Sequence, residues 1–362
     1  MSGISQQRAN ARELEMLVKH IFEGCGMQDA DAALVADSLV SSDLRGVHSH
    51  GVLRVPEYVR KLTRDGVDAR GRPAVARDGG ACLVVDGHNS MGQVGAHFAM
   101  QCAIDRARST GIAAVAVGGS NHCGALAYFT LRAVPHDMIG IATTNALPTM
   151  APWGGAERVL GINPLSVAIP AGEEHPIVYD AAFSASAHGK IRVYQQRGQR
   201  LPAGWALDKH GRPTTDPTAA IDGLLLPIGG YKGAGLAMIM GILSSMLSGA
   251  AYGTELGDMS RGPAPGRDGH FVAAIRVSAF EDVARFKARV DGAIRELYAC
   301  RLAPGFERIY APGELEFQTD QAYRREGIPL DDITLQQLAA AASSLGIDTM
   351  HLTWLPAASA GP

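Results

Sequence analysis

The sequence predicts an α/β fold, built either as one large unit or as two lobes that share a cleft. Its 362 residues exceed the size of most single compact cores. Strand, helix and strand alternate through "ACLVVDG", "QVGAHFAMQCAIDRARSTG" and "IAAVAVGG", with Gly111 ending the helix. The dinucleotide fingerprint G-x-G-x-x-G does not occur, and "GGYKGAG" has the wrong spacing both for it and for a P-loop. Any nucleotide is therefore expected to bind outside a standard Rossmann turn.

Hydrophobic periodicity assigns the remaining elements in chain order. Helices over residues 10–24 and 29–41 come first, and Asp29 is placed to cap the second. The apolar stretch "GAGLAMIMGILSSMLSG" predicts a long buried helix, and residues 353–362 have the composition of a flexible tail. The other predicted elements are buried strands at "IGIATTN", "LSVAIPAG", "PIVYDAAFSASA" and "FVAAIRV", and an amphipathic helix at "EDVARFKARVDGAIRELYA".

Composition argues against several classes of protein. The formal net charge is −3 and no long basic run occurs, so neither a nucleic acid nor an anionic membrane is an expected partner. No apolar stretch reaches the roughly 18 residues that a membrane span requires. The five cysteines are scattered without a CxxC pair, which predicts neither a disulfide framework nor a metal site. These features favour an enzyme or binding protein of the cytoplasm.

The segment "DLRGVHSHGVLRVPEYV" concentrates residues that suit acid–base chemistry. If Ser49 caps a helix, His50 and Arg54 lie one turn apart on the same face, although Pro56 favours a later helix start. A histidine can donate a proton near neutral pH, and an arginine can hold a carboxylate through two hydrogen bonds. The group fits reduction of a 2-oxo acid, with Arg54 holding the acid and protonated His50 supplying the proton. An exposed capping turn is the alternative.

Four other clusters could contribute to a site, each with a plain structural alternative. Ser120, Asn121 and His122 follow an apolar strand directly, where sites gather in α/β folds. The remaining candidates are Asn145 in a turn-rich crossing, Lys232 before the long apolar helix, and Asp180 at the end of an apolar strand. Asn121 and Asn145 are expected to contact substrate, and Asp180 could orient a histidine, hold a ribose hydroxyl or cap.

Taken in order, the segments resemble the type-2 malate/L-lactate dehydrogenase family, whose members reduce 2-oxo acids or related imino acids with a nicotinamide cofactor. The resemblance covers residues 12–330. It is carried by "DLRGVHSHGVLRVPEYV", "SNHCGALAY", "APWGGAERVLGINPLSVAIP", "YDAAFSASAHGKI", "GWALDKHGRPTTDP", "LLPIGGYKGAGLAM" and "PGFERIYAPGELE".

The resemblance implies a non-Rossmann, mixed-sheet α/β fold with two lobes around a cleft. It also implies a homodimer whose cofactor, NAD or NADP, binds near the subunit interface. A single catalytic unit would span residues 10–335. Residues 10–75 and 270–335 would form a helical substrate and dimer lobe, and residues 76–269 a cofactor-binding α/β lobe.

The family's catalytic histidine corresponds to His50, with Ser49 and Arg54 beside it, and His122 is the rival for the acid–base role. The residues that the resemblance assigns to the cofactor are Ser120, Asp180, Ala181, Ala182, Phe183, Ser184, Tyr231, Lys232, Pro312, Gly313 and Glu314.

Three positions depart from the family's usual pattern: Phe183 stands in place of threonine, Cys123 in place of phenylalanine and Ile162 in place of threonine. These changes leave open which substrate is used, whether a malate- or lactate-like 2-hydroxy acid, ureidoglycolate or a cyclic imino acid. A metalloenzyme using His48, His50 and His122 is disfavoured because no acidic ligand cluster accompanies them. A serine hydrolase would need G-x-S-x-G, which is missing. A non-catalytic small-molecule-binding protein on the same fold is the remaining alternative.

Overall fold

The centre of the computed structural model, which describes residues 7–258 and 262–357, is a seven-stranded mixed β-sheet. Strands β3 (Cys82–Asp86) and β4 (Ile112–Ser120) run parallel and are joined by helix α4 (Gly92–Thr110), whereas the other neighbouring strands of this sheet are antiparallel. This unit confirms the predicted strand–helix–strand alternation. In spatial order the strands are β2 (Ala74–Asp78), β3 (Cys82–Asp86), β4 (Ile112–Ser120), β15 (Asp268–Arg276), β5 (Met138–Thr144), β8 (Leu165–Ile169) and β9 (Ile177–Ala181).

A second, five-stranded sheet forms a smaller layer around Met150, Ile191 and Leu225. Its strands, in spatial order, are β11 (Pro213–Thr214), β10 (Ala206–Leu207), β12 (Leu224–Leu225), β6 (Pro148–Met150) and β7 (Leu160–Gly161). The short helices in this part of the chain are α6 (His188–Gln196) and α7 (Pro217–Asp222), and a two-stranded ribbon joins β13 (Gly257–Asp258) to β14 (Gly262–Pro263).

Helices from both ends of the chain share a separate core. Its elements are α1 (Ala11–Gly24), α2 (Asp29–Leu44), α3 (Val55–Thr63), α10 (Glu314–Glu326) and α11 (Asp332–Ser344), with β1 (Gln7–Ala9) paired to β16 (Ile328–Leu330). The Asn10 side chain caps α1, because its amide oxygen accepts hydrogen bonds from backbone N–H groups in the first turn of the helix. Asp29 does not cap α2; it lies in the first turn after Gln28, where a carboxylate still favours the helix dipole.

The limits of the helical lobe and of the flexible tail differ in the structure from those predicted. Residues 270–276 lie in β15, the central strand of the large sheet, and Asp291 of α9 (Val283–Ala299) accepts three backbone N–H bonds from the loop at 172–174. This stretch therefore belongs with the sheet and not with the helical lobe. Trp354 and Leu355 are buried in the helical core, so ordered packing extends past residue 353; residues 358–362 lie outside the described residues.

Helix α8 (Tyr231–Ser245) differs from its predicted burial. It packs on one face of the large sheet, and α4 packs on the other. Alternate residues of β4 point to these opposite faces, so that one set meets α4 and the other set meets the α8 side. The small residues of α8 contact the sheet, and Leu236, Met238 and Ile239 are 42%, 52% and 51% exposed. No helix in the described part of the chain is long and apolar enough to cross a membrane.

Candidate active site

The segment containing His50 is a pair of tight turns that a buried carboxylate holds. Single 3₁₀ turns at His48–His50 and Val52–Arg54 lead into α3, with Pro56 in the first helical turn as predicted. Asp43 accepts a hydrogen bond from Val52 N at 2.7 Å and another from His48 Nδ1 at 2.7 Å. A Cβ at Gly51 would lie 2.1 Å from Asp43 Oδ1, so only glycine fits there. Sequence reasoning missed Asp43, although an acid ahead of a glycine-flanked turn was a usable signal.

His50 and His122 stack on one another at the junction of the helical core and the sheet. Their ring centroids are 5.8 Å apart with an interplanar angle of 18°. The Tyr58 hydroxyl lies 2.7 Å from His122 Nδ1 and accepts a hydrogen bond from Gln93 Nε2 at 3.2 Å. With Gln93 donating to that hydroxyl, Tyr58 can direct its own proton at His122 Nδ1, the arrangement in which neutral His122 carries its proton on Nε2.

Both stacked histidines are held in their neutral forms. Burial, followed by the nearby Arg54 charge, lowers the pKa of His50 to about 4. Burial, then Arg54 and Lys61, also lowers the pKa of His122 well below its usual value. The proton that sequence reasoning placed on His50 is thus missing from the free protein near pH 7. In this state His50, whose Nδ1 lies 2.9 Å from Ser49 Oγ, is suited to accept a proton.

Arg54 lies at the centre of a charged cluster beside the two rings. Its Nε donates to the Ser49 carbonyl at 2.8 Å, and its Nη1 donates to Glu57 at 3.0 Å. The other oxygen of Glu57 lies 3.3 Å from Lys61 Nζ. Burial acts to raise the pKa of Glu57, but the Lys61 and Arg54 cations outweigh it and lower that pKa. Within the described residues Nη2 of Arg54 makes no hydrogen bond, so its two N–H groups are available to an anion.

A cavity of about 330 Å³ joins the His50 turn to the end of strand β9. Ser49 and His50 line one side, and Asp180, Ala181 and Ala182 line the other. These two groups were predicted separately, as a catalytic turn and as part of a cofactor site, so the fold brings them together.

Among the described residues, the Asp180, Glu316 and Arg45 side chains are the carboxyl and guanidinium groups that line this cavity. Asp180 accepts a hydrogen bond at 2.7 Å from the N–H of Ala127, the first residue of helix α5 (Ala127–Thr130). Burial raises the pKa of Asp180 to about 6, although the Ala127 N–H and the Arg45 charge oppose it. Arg45 was not predicted as a site residue, yet it lines the same cavity. The wall thus offers both an acceptor and a cation.

Known proteins resemble this chain over nearly its whole length. The family model described as malate/L-lactate dehydrogenase matches residues 9–339. The chain belongs to this family. The malate dehydrogenase of Pyrococcus abyssi is 37% identical over 94% of this chain and 95% of that protein. The ureidoglycolate dehydrogenase (NAD(+)) of Escherichia coli O157:H7 is 34% identical over 90% and 93% of the two chains. The solved structure of sulfolactate dehydrogenase from Methanocaldococcus jannaschii aligns with a TM-score of 0.89 at 34% identity, covering 94% of this chain and 98% of that one.

Membership of the malate/L-lactate dehydrogenase family confirms the predicted enzyme class and the mixed-sheet α/β fold. Two side chains that were predicted to contact substrate have other partners in this family member. The Asn121 amide donates to Ser90 O at 2.8 Å and accepts from Gly266 N at 3.1 Å. The Asn145 amide donates to Ala251 O at 2.8 Å and accepts from Gly269 N at 3.0 Å. Both amides are buried and tie loops together, which favours a structural role over substrate contact.

Several residues assigned to the cofactor are also engaged within the chain. Ser120 Oγ lies 2.8 Å from Nε2 of buried His270, and the Phe183 side chain is buried in the core of the smaller sheet. Glu314 is buried and accepts hydrogen bonds from Tyr298, Arg308, Gln318 and the backbone N–H of Ala311, so its carboxylate holds its own turn.

Of the residues predicted to bind the cofactor, Asp180, Ala181 and Ala182 line the cavity. The others lie outside its lining. Pro312 O accepts from Val178 N at 2.9 Å, and Gly313, with φ +88°, passes too close to Val178 for a Cβ. Ser184 is buried and forms a β-bridge with Pro227. Tyr231 and Lys232 are exposed at the start of α8, where Tyr231 packs edge-on against Trp153 at 5.9 Å.

Proposed function

We propose that this member of the family is an NAD- or NADP-dependent dehydrogenase that interconverts a small 2-hydroxy acid of the malate or lactate kind and its 2-oxo acid. The observation that carries the proposal is the stacked His50–His122 pair, since His50 reaches a cavity whose opposite wall is Asp180–Ala182. The printed name of the related ureidoglycolate dehydrogenase includes NAD(+), which supports a nicotinamide cofactor here. Ureidoglycolate and cyclic imino acids are the alternative substrates within the family.

The cavity wall suits such a cofactor. The Asp180 side chain is open to the cavity and can accept hydrogen bonds from ribose hydroxyls or a carboxamide. Ala181 and Ala182 have small side chains, so a ligand can approach their backbone closely. When bound there, the nicotinamide supplies or accepts the hydride.

The two histidines take different parts in the proton transfer. His122 Nε2–H donates a hydrogen bond to the reacting oxygen and fixes its position, because Tyr58 blocks the other ring nitrogen. Neutral His50 takes the hydroxyl proton during oxidation and returns it during reduction. The free Nη2 donor of Arg54 holds the substrate carboxylate, and the bond from Arg54 Nε to Ser49 keeps the arginine beside the His50 turn. Binding of the anionic carboxylate raises the proton affinity of His50.

The first test follows nicotinamide absorbance with NADH and NADPH in parallel. Pyruvate, oxaloacetate and a cyclic imino acid are the substrates for reduction, and ureidoglycolate and sulfolactate are tested for oxidation. We expect turnover of one hydroxy or oxo acid. Arg54→Lys should raise KM for that substrate about tenfold with little change in kcat, because a single ammonium cannot bond to Ser49 and Glu57 and also hold the carboxylate as the guanidinium does. Silence across the panel with both cofactors would contradict the proposal.

We also propose that the enzyme is a cytoplasmic homodimer with α8 in its interface. The exposed Leu236, Met238 and Ile239 form an apolar face of the kind that a subunit contact covers. All five cysteines are free, which suits a reducing compartment. Met238→Glu should convert the dimer to a monomer in sedimentation, whereas Met350→Glu, at a residue that is 95% exposed, should not. A wild-type monomer would contradict the dimer.

A further inference from the structure

Asp268 is a buried acid that none of the roles above uses. It is the first residue of β15, and its Cα lies opposite Ser120 in the register, immediately before the segment that carries His122. Only 4% of the residue is exposed, and its Oδ2 is buried without a hydrogen-bond partner among the described residues. An ionised carboxylate oxygen in this position is costly unless a nearby cation compensates for it.

The charges around Asp268 come from helix α3. Lys61 attracts the carboxylate and Glu57 repels it. The Cys123 thiol lies in the loop that follows β4, and the neutral His270 ring belongs to β15 itself. Lys61 is buried and its charge also lowers the pKa of His122, so Asp268 and the His122 ring are both influenced by this cation.

The proton of Asp268 is therefore held loosely at physiological pH. Burial raises the pKa of this carboxyl to about 7, against the opposing Lys61 charge and with the repulsion of Glu57 added. Below that pH the carboxyl is neutral and its effect on the rings is small. Above it, a buried anion lies beside the segment that carries His122, a ring that burial and the surrounding cations otherwise keep neutral and that stacks on His50.

We propose that Asp268 is a positioning residue whose ionisation stabilises the positive charge that the His50–His122 pair acquires when it takes the substrate's proton. The proposal rests on the proposed function. In oxidation the C–H hydride leaves for the oxidised nicotinamide and the hydroxyl proton moves to His50, and Asp268 has already released its own proton to solvent. A buried anion beside the new imidazolium lowers the energy of that charge separation.

The test compares pH profiles of hydroxy-acid oxidation in the wild type and Asp268→Asn, which keeps the shape of the side chain and cannot ionise. In the wild type kcat should rise between pH 6 and 8.5 with a midpoint near 7. In Asp268→Asn the rise should be lost, leaving kcat about tenfold lower at pH 8.5 and within about twofold at pH 6, as expected for a coupling of one pKa unit. Superimposable profiles would overturn the proposal.

Two further variants separate this role from a structural one. Asp291→Asn removes another buried carboxylate, distant from the site; it should lower stability and leave the shape of the profile unchanged. Lys61→Met removes the cation that favours ionised Asp268, so the midpoint should move to higher pH. A midpoint that stays in place in Lys61→Met would also overturn the proposal.

An infrared measurement reads the same ionisation without turnover. The carbonyl band of a protonated buried carboxyl should be present at pH 6, disappear by pH 8.5, and be missing from Asp268→Asn at both. If no hydroxy acid is oxidised by the wild type, the proposed function fails while this band still reports on Asp268. If the wild type is active and the band does not change with pH, the inference about Asp268 fails and the proposed function stands.

Discussion

The two turns that present His50 and His122 are held in different ways. The His50 turn belongs to the helical core and is fixed through its backbone, by the bonds of Asp43 to Val52 and His48. The His122 turn follows a sheet strand and is fixed through the ring itself, by the Tyr58 hydroxyl. One ring nitrogen of His50 faces only the rotatable hydroxyl of Ser49.

This difference suits the two rings to different parts in proton transfer. A ring whose partner hydroxyl can rotate is free to exchange its proton, because Ser49 can donate or accept as the ring changes state. A ring whose Nδ1 is blocked by a tyrosine presents a constant N–H donor instead. We therefore propose that His50 carries the proton and that His122 is a fixed donor beside it, and the following variants test that distinction.

The largest expected effect is that of His50→Gln. An amide has the size of the ring but cannot take a proton, so kcat should fall by about 10²–10⁴-fold with cofactor affinity nearly unchanged. His122→Gln keeps an N–H donor and should lose only about tenfold. Steady-state kinetics with His270→Gln as a matched control will measure both. A larger loss at His122 than at His50 would reverse the assignment.

An intermediate effect is expected on stability at acid pH, through the third buried histidine. Burial lowers the pKa of His270 to about 4, and its nitrogens are bonded to Ser120 and Thr144. Between pH 6.5 and 4 the unfolded state takes up a proton that the folded state refuses, so stability falls as the pH falls through this window. Between pH 7 and 5 this contribution is about 2 kcal/mol.

Urea unfolding at pH 7 and pH 5 measures that contribution, with His270→Gln as the comparison. The loss of stability on acidification should be smaller by that amount in the variant. Equal losses in the two proteins would show that His270 carries its proton in the folded state.

The smallest effect is expected of Tyr58→Phe. The variant keeps the aromatic packing on Phe22 but loses the hydroxyl that blocks His122 Nδ1. The ring can then adopt either tautomer, and we expect kcat to fall about tenfold or less, with KM for the carboxylate substrate little changed. Nitrogen chemical shifts of His122 will report the tautomer. An unchanged tautomer would remove Tyr58 from this role.

Local pattern was sufficient for the strands, because alternation is encoded within about ten positions. It could not give the hydrogen-bond partners of Asn121 and Asn145, because Gly266 and Gly269 lie 145 and 124 residues away in sequence, and the contact of these two amides with substrate stays a prediction. The predicted burial of α8 was wrong, because hydrophobic periodicity gives the apolar content of a helix and not which other elements cover that helix. Arg45 was overlooked because nothing in the sequence distinguishes it from other surface arginines. Its place in the cavity lining is seen only in the folded structure.

The helical core that carries His50 and Tyr58 includes the last described residues of the chain. The Trp354 indole N–H donates to Glu13 at 2.7 Å, and β1 pairs with β16, so the first and the last described segments meet in one hydrophobic core. During synthesis the sheet strands leave the ribosome long before Trp354 does. A nascent chain can therefore form the sheet and the strand that precedes His122 early, while the helical core that supports the His50 turn is complete only after Trp354 has emerged.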